Sequence, residues 1–197
     1  MIKKKDHNLK LLEETLIEIG LRIAKRGEGA LFVVGNADYK PLVEQIAPPF
    51  KAIKNPKLLE SLALIDGAVI INKEGTVIAY GVMIKTTKIL KNFGTRHSAA
   101  LSASKNDNLV VMVSEEDRKI KILKNEKLIM QIDALQKGIE KTVPQAVKIL
   151  ELIGAGTIGA IGTGLLMPTL GIALLPGIII FGSAYYLGKI LTNKLWK

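Results

Sequence analysis

Residues 66–82 read DGAVIINKEGTVIAYGV, and this stretch decides the centre of the fold. Two apolar, β-branched runs, 66–71 and 76–82, flank a Lys-Glu-Gly turn, which predicts a β-hairpin. Upstream, Ala30–Val34 is a short apolar run that ends at Gly35 and Asn36. A run of this kind is typical of a buried strand, so we expect it to join the hairpin in one sheet.

Helical periodicity surrounds these strands. Residues 6–26 place apolar side chains three and four positions apart, which predicts one apolar helix face. Further helices are expected at 40–47, 56–64, 98–104 and 133–152, the last kinked or divided by Pro144. Further strands are expected at 108–114, 119–123 and 127–132. The predicted fold class for residues 1–150 is therefore α/β, with a mixed central β-sheet flanked by helices.

Composition narrows the function classes. The 197 residues include no Cys and two His, which excludes thiolate catalysis, Cys-ligated metals and a multi-histidine metal site. The net charge of +10 favours phosphate-bearing partners, either nucleotides, nucleic acids or an anionic membrane surface. Aromatic residues make up 5% of the chain, which argues against base stacking, and no nucleic-acid partner is expected.

Residues 151–197 differ from the body of the chain. No charged residue occurs between Glu151 and Lys189, and nine of the 18 glycines lie in this interval. A straight helix over 152–188 would be about 55 Å long, and Pro168 and Pro176 could break it. We therefore expect a hydrophobic, Gly-rich helical hairpin over 151–167 and 174–191. It would associate with a membrane through 152–188 and leave the 1–150 domain in the cytoplasm. The alternative is a buried hairpin or an oligomer contact.

Two short segments carry groups suited to phosphate chemistry. Asp66 precedes Gly67 and Ala68, so its carboxylate could hold a divalent metal or accept a proton beside small residues. The alternative is a turn aspartate before a strand. The second segment, 94–97, reads Gly-Thr-Arg-His and offers a hydroxyl, a guanidinium and helix N–H groups to an anion. The alternative is a capped helix with a surface Arg and a packed His.

Together the two segments resemble the diadenylate cyclase family, whose pattern is Asp-Gly-Ala and then Gly-Thr-Arg-His-Arg-Ala-Ala. Here residues 66–68 read DGA, 94–100 read GTRHSAA, and 113–116 read VSEE like the family's next motif. The resemblance covers about residues 10–133. The chain departs from the pattern at Ile65, at Ser98 in place of an Arg, at Ser102, and at 83–86, where a Leu-Pro-Leu-Ser segment is absent.

The resemblance implies condensation of two ATP into cyclic di-AMP at a face-to-face homodimer, with Mg²⁺ or Mn²⁺ bound by Asp66. It implies catalytic roles for Asp66, Arg96 and His97. The residues that it implies for ATP binding are Gly67, Ala68, Gly94, Thr95, Arg96, His97, Ser98, Ser104 and Glu116. Two alternatives stay open: a catalytically weak module that binds ATP or cyclic di-AMP at a membrane, and a membrane assembly built by the glycine-rich tail with the body as nucleotide sensor.

Overall fold

The computed structural model describes residues 2–86, 94–154, 166–167 and 172–181. Its helices are α1 (Ile2–Arg26), α2 (Pro56–Ala63), α3 (Thr95–Ala103) and α4 (Val143–Gly154), with short 3-10 helices at Ala52–Lys54 and Ile139–Thr142. Its strands are β1 (Ala30–Val34), β2 (Tyr39–Pro41), β3 (Phe50–Lys51), β4 (Ala68–Ile71), β5 (Thr76–Ile84), β6 (Leu109–Ser114), β7 (Lys119–Lys124), β8 (Lys127–Asp133), β9 (Leu166–Met167), β10 (Ile172–Leu175) and β11 (Ile178–Phe181).

The described strands form one mixed sheet in the order β2-β5-β4-β1-β6-β7-β8-β11-β10-β9, and β3 pairs with β5 beside β2. β1 runs parallel to β4, with Phe32 beside Val69, and the other described pairs are antiparallel. The β4–β5 pair confirms the hairpin expected over 66–82. The mixed α/β class is therefore confirmed for the described body.

Helices cover both faces of the sheet because the central strands are apolar on both sides. Phe32 and Val34 of β1 belong to a large core beneath α1, α2 and α4. Leu31 and Val33 point the other way, into a smaller core with Ala100 and Ala103 of α3. The small residues of α3 let this helix lie close to the sheet, as the sequence predicts.

Two helix predictions in the body need correction. Residues 40–47 are not helical: Tyr39–Pro41 is an edge strand that pairs with β5, and the following residues are irregular. Pro144 does not kink a long helix, because it lies in the first turn of α4 after the 3-10 helix. Proline is tolerated there, since the first helical N–H groups have no partner within the helix.

The predicted helical hairpin over 151–191 is not confirmed. Ile172–Leu175 and Ile178–Phe181 are antiparallel strands around a Pro176-Gly177 turn, and β11 extends the sheet by pairing with β8. Runs of Ile and Leu suit a strand that is covered on both faces. The period of the hydrophobic residues alone could therefore not exclude a helix. Within the described ranges, no helix combines the length and apolarity needed to cross a bilayer. The other residues of the predicted hairpin lie outside those ranges, and membrane association through 152–188 stays a prediction.

Candidate functional site

Four chain segments meet at one edge of the central sheet. β4 begins there beside β1, and Ala68 lies opposite Val82 near the end of β5. β6 runs antiparallel to β1, with Ala30 opposite Val113, so its final residues reach the same edge. The sheet topology thereby brings together the start of β1, the Asp66 segment, the end of β5 and the Ser114–Glu116 segment.

A cavity of about 620 Å³ opens at this edge, between the sheet and the N-terminus of α3. It contains almost all of the site residues that the sequence predicts. Those lining it are Asp66, Gly67, Ala68, Gly94, Thr95, Arg96, His97, Ser98 and Glu116. The two sequence motifs, 28 residues apart in the chain, therefore form one site.

Gly67 is required by the sheet rather than by a ligand alone. Its φ is +107°, and a Cβ there would lie 2.7 Å from the backbone N and O of Val82. A side chain would therefore clash with β5, whose backbone cannot move aside without breaking the pairing. Asp66, directly before this glycine, is exposed and lines the cavity.

The N-terminus of α3 faces the cavity through residues 94–97. Gly94 is the N-cap, with φ −63° and ψ 164°, and its oxygen accepts from the backbone N–H groups of His97 and Ser98. No side chain caps this end of the helix. The backbone N–H groups of Thr95 and Arg96 precede the first intrahelical bonds, so the helix end can donate to an anion.

Arg96 crosses from α3 towards β1 and β6. Its Nη1 lies 3.5 Å from Oε2 of Glu115, and both side chains are partly exposed. An ion pair of this length and exposure is weak. The guanidinium can therefore exchange Glu115 for a phosphate, which offers a better bidentate fit.

His97 contacts a lysine that neither motif contains. Its Nε2 lies 3.0 Å from Nζ of Lys121 on β7. Burial lowers the pKa of His97 below its ordinary value, and the positive charge of Lys121 lowers it further. Lys121 in turn pairs with Asp117 at 2.9 Å. The imidazole is thus expected to be neutral at pH 7.

Ser98 and Ser104 have different places. Ser98 is 5% exposed but lines the cavity, where the family pattern has an arginine. Ser104 does not line the cavity, so the structure does not support its predicted contact with ATP. It is fully buried at the C-cap of α3, where its Oγ donates to the oxygen of Leu101 and accepts from the N–H of Glu126. Its hydroxyl therefore joins α3 to the β7–β8 turn.

Sequence reasoning missed the apolar side of the cavity. The larger apolar side chains that line it are Leu31, Leu42, Val82, Met83, Ile84, Met112 and Val113. Leu42 and Met83 are about half exposed, at 49% and 52%. An apolar wall opposite a cationic helix end suits a ligand with a flat apolar part and an anionic part. Lys121 was also missed, although the alternation of 119–124, KIKILK, indicates a strand with one polar face.

The donor set suits a hard divalent cation shared with a substrate. Asp66, Glu115 and Glu116 line the cavity, but no three His, Asp or Glu side chains in the described part of the chain cluster into a metal cage. Mg²⁺ commonly takes one or two carboxylates and completes its shell with water and phosphate oxygens. Asp66 could hold such an ion together with a bound polyphosphate.

Comparison with known proteins gives a consistent result. The model of the DAC family, described as "DisA bacterial checkpoint controller nucleotide-binding", matches residues 20–128, more than half of the chain. A diadenylate cyclase of Methanocaldococcus jannaschii is 33% identical in an alignment of 146 positions that covers 66% of this chain and 47% of that protein. The cyclic di-AMP synthase CdaS of Bacillus subtilis is 34% identical in an alignment of 110 positions that covers 52% of this chain and 53% of that protein. The chain spans about half the length of these relatives.

Among solved structures, a double mutant of DacA from Staphylococcus aureus aligns with a TM-score of 0.48 and 23% identity. The alignment covers 71% of this chain and 94% of that chain. The sequence motifs at 66–68 and 94–100 both fall within the stretch matched by the family model. The match over residues 20–128 shows that the chain belongs to the diadenylate cyclase (DAC) family.

Proposed function

We propose that the chain is a diadenylate cyclase, which converts two ATP into cyclic di-AMP and two pyrophosphates. One observation carries this proposal: a single cavity joins the Asp66 carboxylate to the cationic N-terminus of α3 with Thr95, Arg96 and His97. Sequence relatives that bear the names diadenylate cyclase and cyclic di-AMP synthase support it.

The reaction requires the 3′-hydroxyl of one ATP to attack the α-phosphorus of the other. A new P–O bond forms, the bond between the α- and β-phosphates breaks, and pyrophosphate leaves with the electron pair. A second, reciprocal attack closes the ring. The hydroxyl gives up its proton in each step, and the exposed carboxylate of Asp66 is the group in the cavity that we expect to assist this loss.

The remaining groups bind and orient the triphosphate. The Arg96 guanidinium would leave Glu115 and pair with phosphate oxygens, while the hydroxyl of Thr95 and the free N–H groups of α3 donate to them. Mg²⁺ or Mn²⁺ held by Asp66 would supply positive charge against the triphosphate when bound. The apolar wall around Leu42 and Met83 suits the adenine ring.

We further propose that the active form is a homodimer. One chain offers one cavity of this kind among its described residues, and the reaction joins two nucleotides that must lie face to face. Two chains related by a two-fold axis would bring two such cavities together. Most of the rate enhancement would then come from positioning the two nucleotides.

The test is to incubate the purified full-length chain with ATP and Mn²⁺ or Mg²⁺ and to identify products by mass spectrometry. We expect cyclic di-AMP and pyrophosphate, with a rate per chain that rises with protein concentration through the dimerisation range. A folded dimer that binds ATP but makes no cyclic di-AMP would contradict the cyclase and favour the binding module.

A further inference from the structure

Lys121 is a partly buried cation that contacts His97, one of the residues that line the candidate site. Its side chain is 15% exposed, and Nζ lies between Nε2 of His97 at 3.0 Å and Oδ2 of Asp117 at 2.9 Å. A continuous chain of contacts therefore runs from Asp117 through Lys121 to the imidazole on α3.

The chemistry of these groups fixes the direction of each bond. An ammonium group has only donors, so Nε2 of His97 must accept from Lys121. An imidazole that accepts at Nε2 is neutral and carries its proton on Nδ1. The ion pair with Asp117 at 2.9 Å holds the ammonium group of Lys121 beside the ring.

The charges around His97 are mixed in sign. Lys121 and Arg96 disfavour the protonated ring, while Asp117 and Glu116 favour it, and burial adds to the effect of the cations. Among the charged neighbours, Lys121 has the largest effect and directly contacts the ring. Lys121 also brings a positive charge close to His97, which is next to Ser98 in the chain. Ser98 is the position at which the family resemblance expects an arginine.

We propose that Lys121 is a positioning residue that holds His97 through Nε2 as the neutral, Nδ1-protonated tautomer. The positive charge on this side of the cavity is then carried by the ammonium group of Lys121 and not by the imidazole. The tautomer and charge state belong to the free protein and can be measured without turnover. An effect on catalysis rests, in addition, on the proposed cyclase function.

The direct test is nuclear magnetic resonance of the imidazole nitrogens in the full-length chain. Only His7 and His97 contribute signals, and His7→Asn assigns them. We expect the ¹⁵N shifts of His97 to show an unprotonated Nε2 and a protonated Nδ1 at pH 7 to 8. Lys121→Met should raise the pKa of His97 and leave its tautomer unfixed. Lys121→Arg should retain the lowered pKa and the fixed tautomer of the wild type.

Lys124→Met is the matched control. Lys124 lies on the same strand, its side chain is 21% exposed, and it pairs with Asp107 at 3.1 Å rather than with His97. We expect this variant to leave the His97 titration unchanged. A wild-type ring protonated at Nε2 near neutral pH would overturn the proposal, as would an identical His97 titration in wild type and Lys121→Met.

Turnover gives a second readout. If the cyclase proposal holds, Lys121→Met should lower kcat about 10-fold and leave KM nearly unchanged. The pH profile of kcat should gain a step near the new pKa of His97. Lys121→Arg should restore the turnover. A kcat of Lys121→Met equal to that of the wild type would overturn the catalytic part of the proposal. Absence of turnover in the wild type would count against the cyclase, while the nitrogen shifts would still decide the role of Lys121.

Discussion

The guanidinium of Arg96 lies directly against Gly29, the residue that precedes β1. A Cβ built on Gly29 would overlap Nη1 of Arg96 and lie 2.7 Å from Cζ. The absence of a side chain at residue 29 therefore leaves the space that the Arg96 side chain occupies beside the cavity. Gly29 thus belongs to the site through its effect on a cation 67 positions later in the chain.

Gly29→Ala should reduce activity without unfolding the protein. The clash falls on the end of a flexible side chain, so Arg96 can move away and the backbone need not. We expect kcat/KM for ATP to fall about 10-fold, equivalent to about 1.4 kcal/mol, because the displaced guanidinium loses its phosphate contact. Steady-state kinetics and thermal unfolding of the same preparation measure both effects.

A double-mutant cycle with Arg96→Ala controls this prediction. If Gly29 acts only through Arg96, then Gly29→Ala should have little further effect once the guanidinium is absent. Additive losses of kcat/KM would show that residue 29 affects the site by another route.

Ser104→Ala should lower stability and leave ATP affinity unchanged. The hydroxyl is buried and forms two hydrogen bonds, so its loss leaves the Glu126 N–H without that acceptor and costs about 1–2 kcal/mol. Chemical denaturation and ATP titration of the same variant separate the two effects. Ser61→Ala is the control, because Ser61 makes a similar bond to Lys57 in an exposed position. A weakened ATP affinity at full stability would restore the ligand contact predicted from sequence.

Glu13 should make stability depend on pH. Glu13 is 7% exposed, and its Oε2 has no hydrogen-bond partner among the residues that the structure describes. Burial and then the charge of Glu151 raise its pKa to about 7. Because the folded state binds this proton more tightly than the unfolded chain, the group's contribution is present below about pH 4.5 and is lost as pH rises to about 7. The shift corresponds to roughly 3 kcal/mol.

Glu13→Gln removes this dependence. From pH 4.5 to 8, we expect the stability of the variant relative to wild type to increase by roughly 3 kcal/mol in denaturant titrations. Glu18→Gln, an exposed carboxylate on the same helix, should show no such change. Parallel pH profiles for Glu13→Gln and wild type would contradict the raised pKa.

Gly177→Ala distinguishes the observed β-hairpin from the helix expected there. Gly177 has φ +74°, and a Cβ would lie 2.7 Å from Gln136, so alanine should cost about 1–2 kcal/mol in the turn. In a helix the same change would instead stabilise by up to about 1 kcal/mol. Gly138→Ala, with φ +76° and no described atom within 4 Å of the added Cβ, measures backbone strain alone. A gain in stability for Gly177→Ala would contradict the strands.

The hairpin shows where sequence reasoning fails. Ile178, Ile179 and Ile180 suit a buried strand and a membrane helix equally well, because hydrophobicity on every side hides the period. The decisive information is long-range, namely that Ile178 lies opposite Ile132 on β8. By contrast, the apolar runs at 66–71 and 76–82 and the turn at 73–75 are local signals, and the hairpin predicted from them is confirmed.

The candidate site divides in the same way. Asp66 and residues 94–97 could be found because each motif is contiguous and carries its chemistry in residue type. Gly29 and Lys121 could not, because each acts through one contact with a residue of α3 that only the folded sheet creates. Ser104 shows a related limit: its place in the family pattern does not say whether its hydroxyl faces a ligand or the core. The side chain is buried, and its contact with ATP stays a prediction.

Asp66→Asn gives the most direct test of the proposed cyclase activity. The measurement compares cyclic di-AMP formation with ATP binding in this variant. The side chain is exposed, so the variant should fold and still bind ATP through α3, while product formation falls at least about 1,000-fold. Asp38→Asn, an exposed aspartate that does not line this cavity, should retain wild-type turnover. Undiminished synthesis of cyclic di-AMP by Asp66→Asn would show that the cavity described here is not the catalytic site.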